Sequence, residues 1–167
     1  VYAAAPNFNA DGSHKPVAAP REVRMLKRGD IRKPGDKVEP AALSLLPKLP
    51  GEFDLKPGHT EGERRAALAK WLTDTNNPLT WRGMANRVWQ WPFGVGLGSS
   101  PNDFGRMGTQ PTHPELLDFL ADELRQHGSL KKMHRLIVTS ATYKQLSTSR
   151  PEGVKADEDN KLLWRQN

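Results

Sequence analysis

Residues 112–143, THPELLDFLADELRQHGSLKKMHRLIVTSATY, contain the pattern that decides the fold. Apolar side chains recur at helical spacing in both halves of this stretch, at Leu116, Leu117, Leu120 and Leu124 and then at Met133, Leu136, Ile137 and Ala141. His127 and Gly128 are typical of a helix C-terminus, and Ser129 is a favourable N-cap for a following helix. We therefore expect a helical hairpin, with the second helix reaching to about Tyr143.

Capping signals place further helices around this hairpin. The pair Thr60 and Glu63 has the Thr-x-x-Glu spacing of a capping box, and the Asn-Asn-Pro sequence at 76–78 predicts the end of the helix that the box begins. Its apolar stripe is Ala67, Leu68, Trp71 and Leu72. The same box recurs at Thr112 and Glu115, at the start of the hairpin.

Two more helices are predicted by similar signals. Thr80 is the expected N-cap of a helix that Pro92 and three glycines end. Its apolar side consists of Trp81, Met84, Ala85 and Val88. Acidic residues are stabilised at the positive, N-terminal end of a helix dipole. The acidic run at 157–159 therefore predicts a last helix that carries Leu162, Leu163 and Trp164.

The N-terminal third differs in composition, with eight of the 14 prolines in the first 58 residues. Residues 22–26 are the best strand candidate, and residues 1–3 are its suggested partner. We predict a mainly α protein with an irregular N-terminal arm of one or two short strands, followed by a bundle of four to five short helices. The arm spans 1–58, and the helical body spans 59–167 and is truncated at its C-terminal end.

Composition excludes several functions. With no cysteine, the chain can form neither disulfides nor thiolate metal sites. The net charge of +6 is spread evenly, with ten Lys and Arg against seven Asp and Glu before residue 59, so it gives weak support to nucleic-acid binding. A third, less favoured hypothesis of function is nucleic-acid binding through the helical hairpin, which requires Lys131, Lys132 and Arg135 to share one face with Arg64 and Arg65. We expect no nucleic-acid partner, no membrane span and no bound cofactor.

Short motifs give little functional information. Arg28, Gly29 and Asp30 form the integrin-recognition tripeptide, but a basic turn after a strand is the favoured interpretation. The glycines at 94, 96 and 98 follow a helix instead of a strand, so a connector is favoured over a phosphate-binding loop. None of the five histidines has the spacing that places two ligands on one helical face, and we predict no metal site.

The long connection that begins at Gly94 and runs to Pro111 deserves scrutiny because structureless loops over about 12–15 residues are uncommon in compact domains. Polar and aromatic residues before, within and after it are the candidate site, namely Asn86, Arg87, Trp89, Asn102, Asp103 and His113. We expect them to hydrogen-bond one another or the loop backbone. The alternative is a carbohydrate- or anion-binding or hydrolytic site around residues 94–105, in which Arg87, Asp103 and His113 converge.

Many segments together resemble one family. They include Asn86-Arg87-Val88-Trp89-Gln90, Pro101-Asn102-Asp103-Phe104-Gly105, Thr112-His113-Pro114-Glu115-Leu116-Leu117-Asp118 and the run from His134 to Tyr143. In these residues the chain resembles the planctomycete-specific PSD family, also called domain of unknown function fifteen-fifty-three. The resemblance covers nearly the whole chain and rests on no single motif.

The resemblance implies a cellular location and partner domains, and it implies no particular reaction. Members are typically the C-terminal part of large exported bacterial proteins that also carry a c-type cytochrome domain. By analogy, the chain would be extracytoplasmic, either periplasmic or secreted, and its partners would be other domains of the same polypeptide, a cytochrome-like domain among them. The leading hypothesis is a structural and interaction module of unknown biochemical activity.

Overall fold

The computed structural model describes residues 22–166 and divides the chain into two compact units, one ending at Asn77 and the other beginning at Pro78. Its described part is mainly helical, as predicted, with five helices and one short two-stranded sheet. The division expected at residue 58 stays a prediction. The two units are described separately below.

The first unit contains the sheet and one helix. Strands β1 (Val23–Leu26) and β2 (Pro34–Val38) pair antiparallel, with Val23 opposite Val38. Residues 22–26 were thus correctly predicted to include a strand, but its partner here is β2, and the suggested partner at 1–3 lies outside the described residues. Between the strands, Lys27–Gly29 forms a 3₁₀ turn in which Arg28 and Gly29 both have positive φ. The tripeptide at 28–30 therefore lies in a basic turn, as expected.

Helix α1 (Glu61–Thr73) follows the sheet in the same unit. The predicted capping box is confirmed, because Thr60 Oγ1 accepts from the Glu63 N–H while the Glu63 carboxylate accepts from the Thr60 N–H at 2.6 Å. No residue of α1 is fully buried, although Ala67, Leu68 and Trp71 are partly covered. Helix α1 therefore contributes no residue to the fully buried core.

The second unit holds the principal hydrophobic core. Helices α2 (Pro78–Phe93), α3 (Pro114–His127) and α4 (Leu130–Val138) pack on one another, and α5 (Pro151–Ala156) follows. The fully buried apolar side chains of this core come from α2, from α3, from α4 and from the loop after α2. They are Ala85, Val88, Trp89, Phe93, Leu97, Leu117, Leu120, Ala121, Leu124, Met133 and Ile137. The predicted hairpin is confirmed, with Gly128 in the left-handed conformation between α3 and α4.

Three helix boundaries differ from the predictions. Helix α2 begins at Pro78 instead of after Thr80, because proline suits the first helical position. The capping box at Thr112 and Glu115 is wrong. His113 is the N-cap residue, and the Thr112 N–H and hydroxyl both donate to the Leu97 carbonyl. Helix α4 ends at Val138, and the Ser140 N–H donates to the Ile137 carbonyl three residues back, so the helical ladder is not continued beyond Thr139.

The last predicted helix is also misplaced. Residues 157–166 form turns, and the short helix α5 lies just before them. Asp157 explains the difference, because its carboxylate accepts from the backbone N–H groups of Lys161 and Leu162 and so closes a turn. Asn160 and Leu163 then take positive φ values of 54° and 57°, which a helix cannot accommodate.

Candidate functional site

The loop between α2 and α3 is bound to the core by one buried side chain. Asn86 of α2 has no exposed surface, and its amide makes two hydrogen bonds with Gly98. Its Nδ2 donates to the Gly98 carbonyl at 2.9 Å, and its Oδ1 accepts from the Gly98 N–H at 2.9 Å. We call this pair of bonds the Asn86 clamp. It satisfies both backbone polar groups of a buried residue in mid-loop.

Glycine at position 96 makes this close approach possible. A Cβ atom there would lie 2.6 Å from Nδ2 and 2.7 Å from Oδ1 of Asn86, well inside contact distance. Any side chain would therefore displace the clamp. Gly96 is thus explained by close packing against Asn86, and Gly94 by its positive φ of 77°, so these glycines belong to a connector, as expected.

Hydroxyl groups close the rest of the loop. Thr109 donates its N–H to Ser100 Oγ at 2.8 Å, and Ser100 donates its N–H to Thr109 Oγ1 at 3.0 Å. The Ser100 hydroxyl also donates to the Asp103 carbonyl at 2.8 Å. Ser100 and Thr109, at the two ends of the loop's outer half, are thus bound to each other through their side chains. The long connection is therefore ordered by specific hydrogen bonds.

The other predicted site residues lie around this loop in different roles. Arg87 donates to Asn102 Oδ1 at 2.8 Å on the exposed surface. Asp103 Oδ1 accepts from the Gly105 N–H at 2.8 Å, which forms a local turn. His113 Nδ1 lies 3.0 Å from Thr112 Oγ1. Trp89 is only 4% exposed and stacks on Phe93 with ring centroids 4.1 Å apart.

These residues do not form an acid–base constellation. Within residues 22–166, no hydrogen bond or ion pair joins Arg87, Asp103 and His113 to one another. The same residues contain no group of three histidine or carboxylate side chains that could hold a metal ion. The arrangement therefore holds a loop in place, and its polar groups hydrogen-bond mainly to neighbouring backbone and side-chain atoms.

A cavity of about 330 Å³ lies on the inner side of the loop's first half. Its walls come from the C-terminal part of α2, from loop residues 95–99 with Gln110 and Thr112, and from Asp159, Asn160, Lys161 and Leu163. The contribution of 159–163 was not predicted, because the sequence pattern there indicated a helix. The Asn-containing acidic turn at 157–160 was the signal that could have identified this segment as irregular.

A second buried asparagine holds this C-terminal segment. Asn160 is 4% exposed; its Nδ2 donates to the Arg165 carbonyl at 2.9 Å and its Oδ1 accepts from the Arg165 N–H at 3.2 Å. We call these bonds the Asn160 clamp. Between its two ends, Trp164 donates its indole N–H to the Asp157 carbonyl at 2.8 Å. The segment is thus a closed turn with an internal bond network.

Electrostatic interactions at the site are confined to paired surface groups. Lys161 Nζ lies 2.8 Å from Asp159 Oδ2 at the mouth of the cavity. This hydrogen bond lowers the pKa of Asp159 and raises the pKa of Lys161, so both stay charged near neutral pH. On the helices, Arg82 of α2 pairs with Asp118 of α3 at 2.9 Å.

Fold and site together define a small helical domain whose principal loop is fixed from inside by a buried asparagine. A family model matches residues 64–167, which include all of the second unit and most of α1. The chain belongs to the family PSD1, described as a protein of unknown function (DUF1553). No curated protein and no solved structure matches it. No helix among residues 22–166 combines the length and apolar character needed to cross a bilayer.

Proposed function

We propose that the chain is a structural and interaction module of an exported, redox-associated multidomain protein, with the loop between α2 and α3 as a fixed surface feature. The observation that carries this proposal is the Asn86 clamp. The fully buried Asn86 amide satisfies both backbone polar groups of Gly98. Movement of the loop would leave these buried groups without partners, so the two bonds fix the shape of the loop.

The hydrolytic and carbohydrate-binding alternatives have less support. Hydrolysis by general acid and base requires two titratable groups placed on either side of one reacting bond. Arg87, Asp103 and His113 are each engaged with a different neighbour, and Asp103 accepts a bond from its own turn. Sugar sites commonly offer an exposed aromatic face, and Trp89, the aromatic member of the candidate site, is instead buried against Phe93.

The cellular setting is inferred from the family resemblance. We infer an extracytoplasmic location, periplasmic or secreted, and a cytochrome-like domain in the same polypeptide as the partner. The chain has no cysteine, so any covalently attached haem would be carried by that other domain. In this arrangement the module supplies an ordered surface and the haem domain supplies the redox chemistry.

The full-length protein provides the test. Cells that produce it are separated into cytoplasmic, periplasmic and medium fractions, and the chain is detected with an antibody raised against residues 22–166. We expect the antibody signal outside the cytoplasm, in a band that also gives the peroxidase stain of covalent haem. A cytoplasmic, haem-free band would contradict both the location and the partner.

A further inference from the structure

The cavity beside the loop is separate from the predicted polar site. None of Arg87, Asp103 and His113 lines it. Its inner wall is apolar and comes from core residues, namely Trp89, Phe93, Leu97 and Leu163. Because this space adjoins the principal core, any occupant would be in contact with the best-packed part of the second unit.

Each wall of the cavity is held in shape by its own bonds. The Asn86 clamp fixes the loop wall, and the Asn160 clamp fixes the C-terminal wall. Leu163 is held at a φ of 57°, and its carbonyl accepts from Gln145 Nε2 at 2.9 Å. A non-glycine residue in this conformation costs about 1–2 kcal/mol, and such strain is concentrated at ligand sites. The shape of both walls is therefore set by bonds within the protein and needs no occupant.

The chemistry of the lining selects an uncharged occupant. The two charged residues at the mouth, Asp159 and Lys161, neutralise each other at 2.8 Å. Gln110 also lines the cavity, and its side-chain amide makes no hydrogen bond within the part of the chain that the structure describes. It can therefore donate to or accept from a ligand. An apolar interior with a few polar groups at the mouth is the usual composition of a small-molecule site.

The volume sets the size of the ligand. A dry apolar cavity of roughly 150 Å³ is large enough to bind benzene. The cavity here, at about 330 Å³, is within the usual range for small-molecule pockets. It has room for a substituted or fused ring.

We propose that this cavity is a binding site for a small uncharged molecule with an aromatic or cyclic apolar body and one hydroxyl or carbonyl group, which hydrogen-bonds to Gln110. Binding occurs without a chemical reaction, since the only carboxylate among the lining residues is paired with Lys161. This inference goes beyond the proposed function, which assigns the chain no ligand.

The test uses phenol and toluene, which have nearly the same shape but differ in the hydroxyl group. Binding to the 167-residue chain is measured by calorimetry and by ligand-observed NMR. We expect one saturable site for each probe. Val95, which lines the cavity and is 55% exposed, is changed to Trp to obstruct the mouth without removing a core side chain. Val95→Trp should weaken both probes at least about tenfold by filling the space they occupy.

Two further variants make the test specific. Leu146→Trp adds the same side chain at an 80% exposed position outside the cavity and should leave both affinities unchanged. Gln110→Ala should weaken phenol roughly threefold to tenfold and leave toluene unchanged, because only phenol loses a hydrogen bond. Absence of saturable binding by the wild-type chain, or equal affinities in Val95→Trp, would overturn the proposal. Either result leaves the location and haem test of the proposed function unaffected.

Discussion

The two irregular segments that border the cavity, residues 94–112 and 157–166, are each held by a buried asparagine, but over different spans of chain. Asn86 lies in α2 and binds Gly98, 12 residues away, whereas Asn160 binds Arg165, five residues away. Asn86 therefore connects a helix to a separate loop, while Asn160 closes the turn in which it lies. The same pair of side-chain amide hydrogen bonds therefore stabilises a tertiary contact in one segment and a local turn in the other.

Backbone conformation adds a second difference. Asn86 is helical, so its backbone is unstrained and it holds Gly98 through its side chain only. Asn160 has a φ of 54°, a conformation that asparagine tolerates better than most residues. Replacing Asn86 removes only hydrogen bonds, whereas replacing Asn160 changes both hydrogen bonds and backbone strain. Substitutions can separate these contributions.

The largest effect is expected for Asn86→Ala. The change leaves the N–H and carbonyl of buried Gly98 without partners, and each such group costs about 1–3 kcal/mol. We expect the free energy of unfolding to fall by about 2–4 kcal/mol. Chemical denaturation of the chain, followed by tryptophan fluorescence and by circular dichroism, measures this loss.

The neighbouring residue provides the matched control. Arg87 makes its bond to Asn102 on the exposed surface, so Arg87→Ala should change the free energy of unfolding by no more than about 0.5 kcal/mol. If Asn86→Ala is as mild as Arg87→Ala, the buried clamp does not hold the loop. The proposal of a fixed loop would then fail.

A smaller effect is expected at Asn160, and two variants divide it. Asn160→Ala loses the clamp and places alanine at positive φ, so we expect a loss of about 1–3 kcal/mol. Asn160→Gly loses the same bonds but tolerates the backbone conformation, and it should be less destabilising by about 1 kcal/mol.

Hydrogen exchange locates the damage at Asn160. The Arg165 N–H donates to Asn160 Oδ1 and should exchange faster in both variants, while the Gly98 N–H should keep its protection. Faster exchange at Gly98 would show that the two clamps act as one unit. That result would break the distinction between a tertiary clamp and a local one.

The difference between local and tertiary contacts also explains what could be predicted from the sequence. The hairpin of α3 and α4 follows from leucine spacing and Gly128, because helical periodicity is a property of neighbouring residues. The capping box at Thr112 failed because that hydroxyl donates to Leu97, 15 residues earlier in the chain. Periodicity contains no information about such a distant acceptor.

The candidate site, too, could be predicted only in part. Asn86 and the loop that it holds could be proposed from a polar residue next to a glycine run. The Asn160 clamp and the cavity could not, because Leu162, Leu163 and Trp164 suggested a helix after an acidic start. The left-handed conformations of Asn160 and Leu163 depend on bonds to Arg165 and Gln145 that spacing does not reveal.

The smallest effect is expected at the capping box of α1, which tests whether burial or the number of bonds sets the energy. Thr60 and Glu63 also make reciprocal bonds, but at an exposed helix end. Thr60→Ala should lower the free energy of unfolding by about 1 kcal/mol, clearly less than Asn86→Ala. Thr75→Ala, at an exposed threonine without side-chain hydrogen bonds in the described structure, is the control and should have almost no effect.

The pH dependence of this difference gives an independent check. The backbone N–H of Thr60 and then its hydroxyl lower the pKa of Glu63 below 4.5. A carboxyl group whose pKa is lowered on folding stabilises the folded state above its unfolded pKa, and that contribution is lost as the pH falls through the folded pKa. The gap between wild type and Thr60→Ala should therefore be largest near neutral pH and shrink below pH 4.5. The alanine variant keeps the Thr60 backbone N–H, so a gap that stays constant down to pH 3, roughly a unit below the ordinary glutamate pKa, would mean that the hydroxyl bond to the Glu63 carboxylate contributes nothing to the cap.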